Sequence, residues 1–215
     1  MPDLRPAPGS TILFEGDSLT GFRVRPGLDT WAWQRMTGAA YGYPERVGDW
    51  LFCNRPDLRL SVRLGAVGGS TMGDVLERWS ATAELKPAIV VMTIGSNDCN
   101  RAIAAETTGA QMADFCRRLD ALCGGRVLYL AHPKTEPEHK AKAHYAAVAE
   151  AVRAADGQVV QLGPVLAARQ RALQALWDGH TLFHDGTHFN AVGNEVVAGV
   201  VLQALGLMRR PGAPD

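Results

Sequence analysis

Ser18 stands in the stretch ILFEGDSLT, residues 12–20, where apolar residues that read as the end of a buried strand run straight into Glu15, Gly16, Asp17 and Ser18. A core has no use for such a polar cluster. A serine hydroxyl becomes a competent nucleophile only when a base takes its proton and a third group orients that base. Both partners are present far along the chain: in HDGTH, Asp185 and His188 stand three residues apart. That spacing puts the two side chains on one side of a turn, so the carboxylate can hold one ring nitrogen while the other faces outward. Acyl transfer also needs hydrogen-bond donors aimed at the developing oxyanion. Gly69 in GAVGGST has no side chain to keep a ligand from its backbone N–H, and Asn97 in TIGSNDC offers a neutral amide donor.

These residues can act together only if the fold collects them. Five runs read as buried parallel strands: STILFEG, LRLSVRLG, PAIVVMTIG, GRVLYLAH and GQVVQLG. Segments of helical period lie between them. PERVGDWLFCN brings Val47, Trp50, Leu51 and Phe52 near one face. GAQMADFCRRLDALCGG does the same for Met112, Phe115, Cys116, Leu119, Leu122 and Cys123, and ends at a glycine pair suited to a C-cap. PEHKAKAHYAAVAEAVRAAD and NAVGNEVVAGVVLQALG are further helix candidates. The alternation predicts an α/β fold, a parallel sheet covered by helices on both faces through right-handed crossovers. Ligands in such folds bind beyond the carboxyl ends of the strands, where Ser18, Gly69, Asn97 and the Asp185–His188 pair all fall.

The chain has 215 residues, a size that one core can serve, so a single domain over 1–215 is expected, with 1–9 and 207–215 as flexible tails. Lys plus Arg number 22 and Asp plus Glu 22, so no net field draws the chain to nucleic acid or to an anionic membrane. The expected partner is a small molecule. The N-terminus MPDLRPAPGS does not read as a secretory signal and no apolar run approaches the roughly 20 residues of a membrane span, so a cytoplasmic location is expected. Cys53, Cys99, Cys116 and Cys123 form no CxxC pair and read as buried free thiols.

The four blocks GDSLT, GAVGGST with its glycine, GSND and DGTH, in that order across residues 12–190, resemble the signature blocks of the SGNH, or GDSL-type, hydrolases. The resemblance implies a flavodoxin-like three-layer α/β/α sandwich around a five-stranded parallel sheet, with esterase, lipase, thioesterase or carbohydrate-deacetylating activity. Carried over residue by residue, it makes Ser18 the nucleophile and His188 the base and acid, oriented by Asp185. The N–H groups of Ser18 and Gly69 and the side chain of Asn97 become the oxyanion donors. It implies no metal and no other cofactor. Glu15 departs from the pattern, since many relatives carry a small or apolar residue there. AYGYPERV and VLERW look closer to the small carbohydrate-esterase and acyl-esterase branch. A serine esterase for short-chain acyl esters is therefore expected, with an acetylated saccharide as first candidate substrate.

Plainer readings compete at several positions. Ser18 could be a helix N-cap, and Asp185–His188 a structural ion pair. Asp17 reads as a residue that orders the nucleophile loop, and is kept also as a substrate contact; Asn97 and Asp98 could each close a turn. His180, His184 and His188 would form a metal site on a helix, but Gly179 and Gly186 oppose a helix there and no HExxH occurs. GAVGGST lacks the spacing of a phosphate-binding turn. The connection from Gly21 to Gly42 is longer than an ordinary loop. Its Trp31, Trp33 and Tyr41, with Tyr43, could face a sugar or acyl group or pack the loop onto the domain, and Trp31 and Trp33 are kept as substrate-binding candidates. Arg23 and Arg25 read as solvated charges or as contacts for an anionic substrate. His132 reads as an exposed loop histidine or a pocket wall. A non-catalytic acyl- or sugar-binding module is the alternative from another class, and the intact set of Ser18, Gly69, Asn97, Asp185 and His188 speaks against it.

Overall fold

Along β1 (Thr11–Gly16) the side chains alternate between two apolar clusters: Ile12 and Phe14 enter one, Leu13 the other. β3 (Ile89–Thr93) repeats the pattern, with Ile89 and Val91 opposite Val90 and Met92, and so does β4 (Arg126–Ala131), with Leu128 and Leu130 opposite Val127 and Tyr129. Strands apolar on both faces must be covered on both, which is why these runs look continuously hydrophobic. β2 (Ser61–Leu64) and β5 (Gln158–Gln161) form the edges and are less buried.

The computed structural model describes residues 4–21, 42–132 and 139–208. The strand order is β2-β1-β3-β4-β5 with every neighbouring pair parallel, the expected flavodoxin-like sheet. In chain order the helices are α1 (Tyr43–Asn54), α2 (Met72–Glu77), α3 (Trp79–Leu85), α4 (Ser96–Asn100), α5 (Ala105–Cys123), α6 (Lys142–Ala154), α7 (Leu162–Gln174) and α8 (Ala191–Ala204). α1, α7 and α8 cover the Ile12–Phe14 face through Val47, Leu51, Leu166, Val197 and Val201. α2, α5 and α6 cover the other through Val75, Phe115, Leu119 and Val148. Burying one such side chain contributes roughly 1.5–3 kcal/mol, against about 1 kcal/mol net for a hydrogen bond, so the clusters fix the layers and the ladders fix register. No helix among the described residues is long and apolar enough to cross a membrane.

Several expectations need correction. Phe52 does not share the buried face of α1: it is 81% exposed, and Leu51 takes the inward position beside Val47. Leu122 and Cys123 in the last turn of α5 are also exposed, just before Gly124 caps the helix in the left-handed conformation. Of the cysteines only Cys116 is buried; Cys53 and Cys123 are exposed, and all four are free thiols. Within the segments expected as tails, Leu4 and Leu207 enter the core, and Arg5 donates to the carbonyl of Gly206 at 2.9 Å. α7 was not anticipated, since LGPVLAARQRALQ has a weak apolar stripe around Gly163 and Pro164.

The chain leaves β1 for β2 on one side and returns to β3 on the other, so the ends of β1 and β3 flank the switch point where such sheets bind ligands. There Gly16 pairs with Thr93 at a φ of +123°, and a Cβ on it would lie 2.1 Å from the Thr93 carbonyl oxygen. Directly beyond, a buried polar knot ties the strand ends. The Asp17 carboxylate accepts from the Leu19 N–H at 3.0 Å and from the Thr93 hydroxyl at 3.1 Å. The Thr93 and Thr20 hydroxyls lie 2.7 Å apart, and the Tyr43 hydroxyl donates to Thr20 at 2.9 Å. Tyr43 thus opens α1 inside the core, edge-on to Phe14, which settles the packing reading for that aromatic.

Burial pushes the Asp17 carboxyl up from 3.8 to about 7, against the pull of its hydrogen bonds from Leu19 and Thr93. The folded chain therefore binds this proton more tightly than the unfolded one, so the stabilisation is complete below pH 3.8 and is lost as pH rises through about 7. Asp17→Asn keeps the acceptor and removes the charge. Urea unfolding at pH 4.5 and pH 8 is expected to show the wild type losing stability relative to this variant by on the order of 3 kcal/mol between the two. Parallel stability curves for the two proteins would contradict a neutral, buried Asp17.

Candidate active site

Gly16 turns the chain at the end of β1 and delivers Ser18 to the rim of the sheet, half-buried, with Leu19 and Thr20 packed beneath. His188 arrives on a separate small hairpin. Phe183 and Phe189 form an antiparallel bridge, the His184 N–H donates to the His188 carbonyl at 2.9 Å, and Gly186 takes the turn with a φ of +75°. Asn190 then caps α8, accepting from the N–H groups of Val192 and Gly193 at 3.0 Å each. The hairpin is therefore rooted at the start of a helix that packs on the sheet.

Within it, one oxygen of Asp185 accepts from the backbone N–H groups of Thr187 at 2.9 Å and His188 at 2.8 Å, while the other lies 2.7 Å from His188 Nδ1. His188 Nε2 is 3.0 Å from Ser18 Oγ. Partial burial would raise the Asp185 carboxyl, but the hydrogen bonds from the His188 N–H, the His188 ring and the Thr187 N–H outweigh it and hold the carboxyl at about 2. An ionised carboxylate has no proton to give, so Nδ1 carries the hydrogen of the pair and Nε2 presents its lone pair to the serine hydroxyl. The hydrogen-bonded line runs Ser18–His188–Asp185.

The glycine block and the asparagine block flank the same strand end. The Val67 N–H donates to the Gly16 carbonyl at 3.1 Å, which sets GAVGGST against the end of β1, and Gly69 adopts a φ of +77°. Asn97 lies in α4 directly after β3, and its amide donates one hydrogen to the Ser70 carbonyl at 3.0 Å. Among the described residues, no hydrogen bond uses the N–H of Ser18 or of Gly69, and the second hydrogen of the Asn97 amide has no acceptor. Three donors at one rim are left for something else to accept from.

The remaining candidates fall differently. Asp17 is 2% exposed and turned into the Thr93 knot, away from any substrate. His132 is not an exposed loop residue: it is buried, with its ring stacked on Phe183 at 5.9 Å and against Phe189 at 5.4 Å, so it sits under the hairpin that carries Asp185 and His188. Trp31, Trp33, Tyr41, Arg23 and Arg25 lie outside the described residues. Asp98 does more than close a turn. Buried, with its carboxyl raised chiefly by that burial, it accepts from the Met72 N–H at 3.0 Å and from the Thr108 hydroxyl at 3.3 Å, and so joins the glycine block to the Asn97 block. His180, His184 and His188 do not stack, because the segment is a bridged loop in which the His180 ring lies against Trp177. Among the described residues no group of three or more His, Cys, Asp or Glu is arranged to hold a metal ion.

Sequence reasoning missed the supports: Thr20, Thr93, Tyr43 and Asn194 around the nucleophile turn, and Arg78 and Arg101 around the glycine block. Asn194 accepts from the Tyr43 N–H at 3.0 Å and so fastens α1 to α8. Arg101 donates to the Gly69 carbonyl at 2.8 Å. One signal was readable: Arg78 in VLERW follows the glycine block at short range, and β1 carries a single charge, Glu15, at the end of an apolar run.

Comparison with known proteins identifies the fold and the family. Among solved structures, a protein described as a GDSL-like lipase from Parabacteroides merdae superposes with a TM-score of 0.74 at 16% identity, covering 96% of this chain and 100% of its own. LAE5, an alpha/beta hydrolase enzyme from the Lake Arreo metagenome, gives 0.72 at 23% identity, with 95% and 98% covered. Axe2, an acetylxylan esterase from Geobacillus stearothermophilus, gives 0.71 at 20%, with 94% and 96% covered. At these identities the likeness establishes the fold. No curated protein sequence matches the chain significantly. The sequence profile that does match spans residues 14–196, from β1 into the last helix, and by it the chain belongs to the GDSL-like Lipase/Acylhydrolase family.

Proposed function

We propose that the chain is a serine esterase that hydrolyses short-chain acyl esters through an acyl-enzyme on Ser18, with an acetylated saccharide as its substrate class. One observation carries the reading: the unbroken hydrogen-bonded line Ser18–His188–Asp185 beside three N–H hydrogens that no acceptor among the described residues takes up. The saccharide rests on the likeness to an acetylxylan esterase.

In the first half-reaction His188 Nε2 takes the Ser18 proton as Oγ bonds to the ester carbonyl carbon, and the carbonyl electron pair moves onto oxygen. The N–H groups of Ser18 and Gly69 and the Asn97 amide receive that oxyanion. As the ester C–O bond breaks, His188 returns the proton to the departing alcohol. Water then repeats the sequence, His188 removing its proton and giving it back to Ser18 Oγ as the free acid leaves. Asp185 stays ionised throughout and keeps the ring in the tautomer that presents Nε2.

A fluorophosphonate probe is expected to label the wild type and leave Ser18→Ala unlabelled; equal labelling of both would remove the nucleophile. Asn97→Ala should lower kcat on an aryl acetate by about 10²–10³, the usual cost of one oxyanion donor. A protonated Nε2 cannot accept the serine proton, so kcat/KM should fall on the acid side in a single step, and Asp185, ionised down to about pH 2, adds no second step in the working range. A rate undiminished once His188 is protonated would contradict the general-base role. Across aryl esters of increasing acyl length, kcat/KM should be highest for acetate and fall at least about tenfold by octanoate. A preference for the longer chain would replace the short-acyl reading.

A further inference from the structure

Glu15 is the one charged residue of the apolar β1, and it is buried at the end of that strand. One of its oxygens accepts from the Gly16 N–H at 3.0 Å and from Arg78 Nη2 at 2.7 Å. The other lies over Gly65, where a Cβ would come within 2.5 Å of it, so the carboxylate has a place only because the adjoining strand end carries no side chain. From the far side of the same guanidinium, Arg78 Nη1 donates to the Ser70 hydroxyl at 3.0 Å and to the Asp74 carbonyl at 3.1 Å. Ser70 is fully buried, and its carbonyl is the acceptor for the Asn97 amide.

These contacts form one continuous line: Glu15, Arg78, Ser70, Asn97. It begins three residues before the nucleophile and ends on a proposed oxyanion donor. An amide NH₂ is planar, with its two hydrogens at a fixed angle, so whatever holds one hydrogen aims the other. The Ser70 carbonyl holds one. Its position depends in turn on a guanidinium anchored to the nucleophile strand.

We infer that Arg78, fixed by Glu15, is a positioning residue for the oxyanion hole: through Ser70 it aims the free hydrogen of the Asn97 amide. This rests on the serine-esterase reading above. The planar fork of Arg suits the task, since it reaches Glu15 with one nitrogen and Ser70 with another in a fixed relation, which the single ammonium of Lys cannot do. Because the oxyanion exists only after attack, misplacing its donor should lower kcat and leave KM nearly unchanged.

The test is a double-mutant cycle on an aryl acetate. Arg78→Met is expected to lower kcat about tenfold or more in the wild-type background, with KM changed less than about twofold, and to have less than about a twofold effect when Asn97→Ala is already present. Arg78→Lys should not restore the rate. Because Arg78→Met leaves Glu15 buried without its partner, the paired replacement Glu15→Met with Arg78→Met removes both charges and keeps the volume, and is taken through the same cycle. If either form of the substitution slows Asn97→Ala as much as it slows the wild type, or raises KM with kcat intact, the positioning role is overturned. Ser18→Ala separates the two layers: retained hydrolysis by that variant defeats the esterase reading itself, whereas its loss alongside simple additivity in the cycle defeats only the role of Arg78.

Discussion

The site depends on one close approach. At the carboxyl end of β1 the backbone comes so near β3 that a methyl group on residue 16 would sit 2.1 Å from the Thr93 carbonyl. Only glycine satisfies both that distance and the positive φ, and the chain turns off the sheet there. Everything polar in the nucleophile turn follows. The Asp17 N–H takes the Thr93 carbonyl at 3.2 Å, the Asp17 carboxylate takes the Thr93 hydroxyl, and Ser18 is left projecting over the crevice between β1 and β3. Steric closeness, and not a special property of the serine, decides which hydroxyl reaches the rim.

Buried charge surrounds this turn on two sides and is handled in two ways. Asp17 has neutral hydroxyl and amide donors only, so burial dominates and drives it toward the protonated form. Glu15, two residues earlier on the opposite face of the strand, meets a guanidinium at 2.7 Å and is part of an ion pair. Alternation along a strand sends neighbours to opposite faces, but 15 and 17 straddle the point where the strand ends, so parity no longer holds and two acids two apart find different environments. A buried ion pair is weak evidence for stability, since isosteric apolar residues often do as well. The role proposed for it here is the geometry it imposes on Ser70 and Asn97.

The sheet was legible because its central strands are apolar on both faces, leaving little room for another reading of ILF, AIVVMTI or VLYLA. Chemistry could be assigned to strand ends from residue type alone, because polar groups that interrupt such runs have few structural uses. What stayed hidden depends on relations between distant residues. Phe52 was placed inside by helical period, yet the apolar stripe of α1 is narrow and Leu51 already fills it. His132 read as an exposed loop residue or a pocket wall because it follows the end of a strand, but the hairpin of Asp185 and His188 folds back over it with Phe183 and Phe189, a contact spanning more than fifty residues of sequence that no local pattern announces. The same holds for Thr93: a threonine at the end of a strand looks like filler until Thr20 and Asp17 are seen to need its hydroxyl.

The two halves of the site are also built to different standards of rigidity. The donors of Ser18, Gly69 and Asn97 belong to segments bonded into the sheet or into one another through Val67, Ser70, Asp98 and Thr93, most of them buried. Asp185 and His188 belong to a short hairpin whose carboxylate is 47% exposed, held by two phenylalanines over a histidine ring and by the Asn190 cap of α8. Oxyanion stabilisation tolerates little displacement, because the donors must already point where charge will appear. A general base is more forgiving: its proton transfer needs one good contact, and that contact can tighten as the substrate seats. Under the proposed reaction, burial is concentrated around the donors and the base sits on a more exposed element, which is the distribution of order that acyl transfer calls for.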